Sequence, residues 1–94
     1  MRPAIHPGEI LAEELDEIAV TPTALARQLR VPPNRITQII QGKRAITGDT
    51  ALRLGHWFGT SAQFWLNLQG AYELRIAQQT AGAEIARLPK RQKA

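Results

Sequence analysis

Between residues 34 and 41 the chain places Asn34, Arg35, Thr37, Gln38 and Gln41, all hydrogen-bonding side chains and none of them acidic. Side chains of this kind are suited to base edges: Asn and Gln pair bidentately with adenine N6 and N7, and Arg with guanine O6 and N7. They interleave with Ile36, Ile39 and Ile40 at the spacing of a helix that buries one stripe and exposes the other. The pattern predicts a helix that reads duplex DNA, although an ordinary α-hairpin with a polar outer face has the same period. The charge distribution is uneven. Residues 1–24 carry one arginine against five acids, whereas residues 25–56 carry Arg27, Arg30, Arg35, Lys43, Arg44 and Arg53 against Asp49 alone. A basic centre beside an acidic start, in a chain of net charge +4, suggests a polyanion on one face. A solvated helix surface would carry the same charges.

No rival chemistry assembles. The chain has no cysteine, which excludes disulfides, thiolate zinc sites and thiol nucleophiles, and fits a reducing cytoplasm. Ser61, the one serine, has the position of a helix cap. His6 and His56 are far apart in sequence with no HExxH motif, and His6 is expected to pack near the first helix start. Glu9, Glu13, Glu14 and Glu17 suit a solubility face or a surface for a basic partner better than an acid/base pair. No glycine-rich phosphate loop occurs. With no convergent nucleophile, base or metal set, neither an enzyme nor a cofactor is expected.

The elements that must position these side chains follow from punctuation. At 94 residues one hydrophobic core is expected. Pro7 and Gly8 precede a first helix from Glu9 to Ile18, with Ile10, Leu11, Leu15 and Ile18 at helical spacing. Thr21 caps a second from Thr23 to about Leu29, with Pro22 at its start. Pro33 opens a third through Ile40, and Gly42 stops it. Thr47 caps a fourth that carries Asp49 in its first turn and ends at Gly59. Ser61 caps a fifth, from about Ala62 to Gln79. Period-2 alternation and hairpin turns are missing, so the predicted fold is all-α: a five-helix helix-turn-helix domain with an extended C-terminal helix. Residues 1–79 form that domain, and residues 80–94 are expected to be a frayed helix end and a flexible basic tail. Apolar runs such as Phe64-Trp65-Leu66 fall far short of the ~20 residues of a membrane span. The N-terminus has no signal-peptide core.

Residues 21–43 hold the most informative pattern, two short helices joined by a three-residue turn. Leu25, Ala26, Leu29, Val31, Ile36 and Ile39 have the spacing of a helix-turn-helix core, with Ala26 small enough for close crossing. Thr21-Pro22-Thr23-Ala24-Leu25-Ala26 and Ile36-Thr37-Gln38-Ile39-Ile40-Gln41-Gly42-Lys43-Arg44 resemble the phage-repressor (Cro/CI, XRE-type) motif. His6-Pro7-Gly8-Glu9-Ile10-Leu11, the stretch from Ala45 to Leu54, and Phe64-Trp65-Leu66-Asn67-Leu68-Gln69 resemble the HigA-type antitoxins. The motifs span residues 6–69 in the family order. The resemblance implies a phage-repressor-like fold and an addiction-module antidote. Such a protein silences a RelE-like toxin that cuts mRNA on ribosomes, and represses its own operon as a homodimer on operator DNA. It also implies that Lys43 and Arg44 touch phosphate, with Thr23, Arg27 and Thr47 as further candidates. Pro32-Pro33 departs from the Ser or Thr usual there, which removes a hydroxyl cap and one backbone donor from the helix start. Arg53 is alternatively spent on Asp49 at i,i+4.

All five aromatic residues lie between Trp57 and Tyr72, more than helices this short are expected to bury. Leu68, Tyr72 and Ile76 recur every four residues and suit a seam between two copies; plain core packing is the alternative. Beside the antitoxin stand a stand-alone repressor of the same fold and an interaction protein that neutralises a partner without reading DNA.

Overall fold

Side chains at the helix starts set the architecture. His6, in extended backbone, accepts the Gly8 N–H on its ring Nδ1 (2.9 Å), while Glu9 accepts the His6 N–H (3.1 Å). This reciprocal cap satisfies two of the donors that a helix start otherwise leaves open. The first helix therefore begins at Pro7, two residues earlier than the proline-glycine pair implied. Thr21 accepts from Ala24 and Ser61 from Phe64 in the same manner. Thr47 occupies its expected N-cap position, but its side chain makes no capping bond.

The computed structural model describes residues 3–92, so Met1, Arg2, Lys93 and Ala94, the outer ends of the two termini considered above, lie outside the described residues. Five helices follow in order: α1 (Pro7–Glu17), α2 (Pro22–Leu29), α3 (Pro33–Ile40), α4 (Gly48–Phe58) and α5 (Ala62–Ala86). There is no strand among the described residues, and no helix there is long and apolar enough to cross a membrane. The end of α5 differs from expectation, since the helix runs past Gln79 to Ala86. Gly82 weakens a helix interior by ~1 kcal/mol relative to alanine, but Ala77, Ala81, Ala83 and Ala86 surround it with the best helix former. Pro89 then prevents continuation.

One core serves all five helices: Leu11 and Leu15 from α1, Leu25, Ala26 and Leu29 from α2, Ile36 and Ile39 from α3, Ala51 and Leu54 from α4, and Trp65 from α5, joined by Val31 and Ile46 from the connections. Ala26 is fully buried at the α2–α3 crossing, and Arg30 makes the left-handed turn between them (φ 57°). Gly8 is fixed by close approach. A Cβ there would lie 1.9 Å from the Ile39 carbonyl oxygen, so only glycine lets α1 seat on the end of α3. Among the aromatics, Trp65 is buried, Trp57, Phe58 and Tyr72 are half-buried, and Phe64 is exposed. The described residues measure 54 × 29 × 21 Å overall, and beyond Tyr72 most residues of α5 are exposed. Leu74 (67 % exposed) and Ile85 (54 %) on it face solvent.

Candidate nucleic-acid interface

The hydrophobic stripe of α3 faces inward through Ile36 and Ile39, which are fully buried. At about 100° per residue the opposite side carries Asn34, Gln38 and Gln41. Asn34 and Gln41 are exposed, and Thr37 and Gln38 are partly so. Thr37 turns its hydroxyl back onto the Pro33 carbonyl (3.4 Å). Pro32 is the N-cap of α3 and offers no side-chain cap bond, as its residue type dictates.

Arg35 is placed differently from the other polar residues of α3. It sits on the flank of the helix, half-buried, and its Nη1 donates to Asp49 Oδ2 of α4 at 2.5 Å. Its guanidinium is therefore engaged within the chain, unlike the open base-reading group that residue type alone suggested. Arg53 donates from Nε to the same oxygen (2.9 Å), the i,i+4 pair foreseen in the sequence, and from Nη1 to the Leu29 carbonyl (2.7 Å). Asp49 thus ties the flank of α3 to α4, and Arg53 extends the link to the end of α2. The hydrogen bonds from Arg53 and then Arg35 hold its carboxyl below the usual aspartate range.

The loop after α3 carries Lys43 and Arg44, both exposed. Gly42 turns it with φ 75°, and the Lys43 N–H donates to the Gln38 carbonyl (2.8 Å). Arg44 Nε donates to Gln38 Oε1 (2.9 Å), which joins a candidate phosphate contact to a candidate base contact. A cleft of about 440 Å³ between this loop, α3 and α4 is lined by Arg35, Arg44, Thr47, Asp49, Thr50 and Arg53. Thr23 and Arg27 are exposed on α2.

Two residues that hold this loop had not been assigned to it. Gln69 is buried on α5, where its Oε1 accepts the Ile46 N–H (2.9 Å) and its Nε2 donates to Glu73 (2.8 Å). Its signal in the sequence is a polar residue one turn after Trp65 on the inward stripe of α5. His6 does pack at the first helix start, and its ring also lies against the loop, with Cγ 3.8 Å from where a Cβ on Gly42 would sit. Burial lowers its pKa below the ordinary histidine value, against a smaller opposing effect of Glu9.

The seam residues on α5 are divided. Leu68 packs on the core, and Tyr72 sets its ring edge against His6 with centroids 4.8 Å apart. Only Ile76 of the three is exposed. A groove lined by Ile5, Ile10, Leu68, Ala71 and Tyr72 runs beside them.

No family model matches the chain. Individual proteins do. Virulence-associated protein I of Dichelobacter nodosus is 55% identical over 78 residues, 82% of this chain and 72% of that protein. An addiction module antidote protein of the HigA family from Coxiella burnetii superposes with a TM-score of 0.93 at 48% identity, covering 98% of this chain and 100% of that one. Pseudomonas aeruginosa antitoxin HigA, solved with the higBA promoter, superposes with a TM-score of 0.91 at 43% identity, covering 97% and 100%.

Proposed function

The chain belongs to the HigA family of antitoxins, and from that premise we propose that it is a sequence-specific repressor of its own operon and the antidote to a RelE-like, mRNA-cleaving toxin. One observation carries the DNA half of this reading. The exposed face of α3 offers Asn34, Thr37, Gln38 and Gln41 without an acid among them, beside a loop that presents Lys43 and Arg44. Side chains of the first kind specify bases, and cations of the second kind position the protein on phosphate. Thr47 lines the cleft beside that loop, and Thr23 and Arg27 are exposed on α2. The Pseudomonas aeruginosa relative, solved with the higBA promoter, supports a DNA-binding role for this chain. Each chain has a single reading helix, so a homodimer would address two half-sites about 10–10.5 bp apart. The exposed apolar residues of α5 beyond Tyr72 supply surface for that pairing or for the toxin.

The test separates the two activities. Asn34→Ala with Gln38→Ala removes two candidate bidentate contacts, each worth ~1–3 kcal/mol. Operator affinity should fall by roughly one to four orders of magnitude in a mobility-shift assay. The protein should still copurify with the product of the neighbouring gene and rescue growth from it. Loss of rescue together with repression, in a folded variant, would show that α3 also contacts the toxin. If no neighbouring product binds or is toxic, the chain is a repressor alone.

A further inference from the structure

A carboxylate in the middle of a DNA-binding surface is a cost to affinity, because it repels phosphate. Asp49 is the only acid in residues 25–56, and its side chain is 55% exposed in the cleft it shares with Arg35, Arg44 and Arg53. Exposed ion pairs contribute little to folding, so stability alone is a weak reason for this one. We propose that Asp49 is a specificity-determining residue: it holds the Arg35 guanidinium back from the DNA backbone and so suppresses binding to duplexes that offer no base contacts. The proposal rests on the DNA-binding reading given above.

The geometry identifies which arginine is under control. Arg53 keeps a second anchor, the Leu29 carbonyl at 2.7 Å, whatever becomes of Asp49. Arg35 is held on α4 by Asp49. It stands only three residues before Gln38 on α3, so a freed guanidinium would swing from the flank of the reading helix toward the adjoining phosphates. With the carboxyl shifted to lower pKa by its two guanidinium partners, the restraint stays charged across the neutral range. The consequence is a separation of roles. Lys43, and Arg44 whose side-chain partner Gln38 is neutral, offer their charge to any duplex, whereas Arg35 is withheld by a carboxylate, and the ratio of specific to non-specific affinity is larger than the basic charge of the surface would otherwise allow.

The experiment uses the full chain, a 30-bp duplex recovered from a random pool by selection on the wild-type protein, and a scrambled duplex of equal length. Affinities are measured over a salt series for wild type, Asp49→Asn and Asp49→Glu, with thermal melting as a check on folding. One released phosphate contact steepens the slope of log K against log salt by ~0.9, equivalent to about eight-fold at ~0.1 M salt. Asp49→Asn should therefore tighten scrambled-duplex binding by about that factor per chain and steepen its slope, with a smaller gain on the selected duplex. Asp49→Glu, which keeps the charge, should restore discrimination. A constant ratio in Asp49→Asn, with both affinities unchanged or falling together, would overturn the proposal and leave Asp49 a structural tie. Failure of the wild type to enrich any duplex would instead overturn the DNA-binding reading.

Discussion

Replacing Gln69 tests whether α5 holds the basic loop in place. In the native chain the Ile46 N–H is buried, with Ile46 only 2% exposed, and donates to Gln69 Oε1 at 2.9 Å. Gln69→Leu keeps the side-chain bulk, so little cavity term enters, but it leaves that N–H without an acceptor. An orphaned buried donor costs ~1–3 kcal/mol. The second bond of Gln69, to Glu73, reaches a residue exposed to solvent, where water replaces it at small loss. A loss of about 2 kcal/mol, at ~4–8 °C per kcal/mol for a domain of this size, lowers the melting temperature by roughly 8–16 °C. Circular dichroism gives the melting temperature, and hydrogen exchange at the Ile46 amide localises the effect. The loop carrying Lys43 and Arg44 should also loosen, weakening DNA binding below the melting temperature. A Gln69→Leu protein that melts within about 2 °C of wild type, with Ile46 still protected, would refute the reasoning.

Lys43→Ala should weaken binding to selected and scrambled duplexes alike and reduce the salt slope by ~0.9 per chain; a loss confined to the selected duplex would assign Lys43 to base reading. Stability should fall on mild acidification. The native state resists protonation of His6 because of its burial, so below the unfolded value of about 6.5 the unfolded chain binds a proton that the folded chain refuses. Stability is therefore full above that pH, declines as pH drops toward the lowered native value, and levels off once both states are protonated. Urea denaturation between about pH 7.5 and 5 measures this, and His6→Asn, with an amide oxygen in place of Nδ1, should remove the His6 component of the slope.

The sequence by itself determined the five helices, because their starts and inward stripes are local properties. Thr21 and Ser61 cap within three residues of themselves, and Ile36 and Ile39 or Leu11 and Leu15 recur within one turn. The basic surface was equally legible, since the run from Arg27 to Arg53 contains one acid and Asn34, Gln38 and Gln41 share a face by spacing alone. Even the Asp49–Arg53 pair followed from i,i+4 geometry. Tertiary structure decided what these side chains meet. Arg35 is bound to a carboxylate fourteen residues away, Gln69 to an amide twenty-three away, and Arg53 to a carbonyl twenty-four away. Tyr72 is spent on His6 across most of the chain. The α1 start illustrates both sides: Gly8 is readable as a glycine, but the 1.9 Å approach that requires it comes from Ile39 on another helix. Helical periodicity says which way a side chain points; which partner waits there depends on how the helices pack, and that is set by the whole core at once.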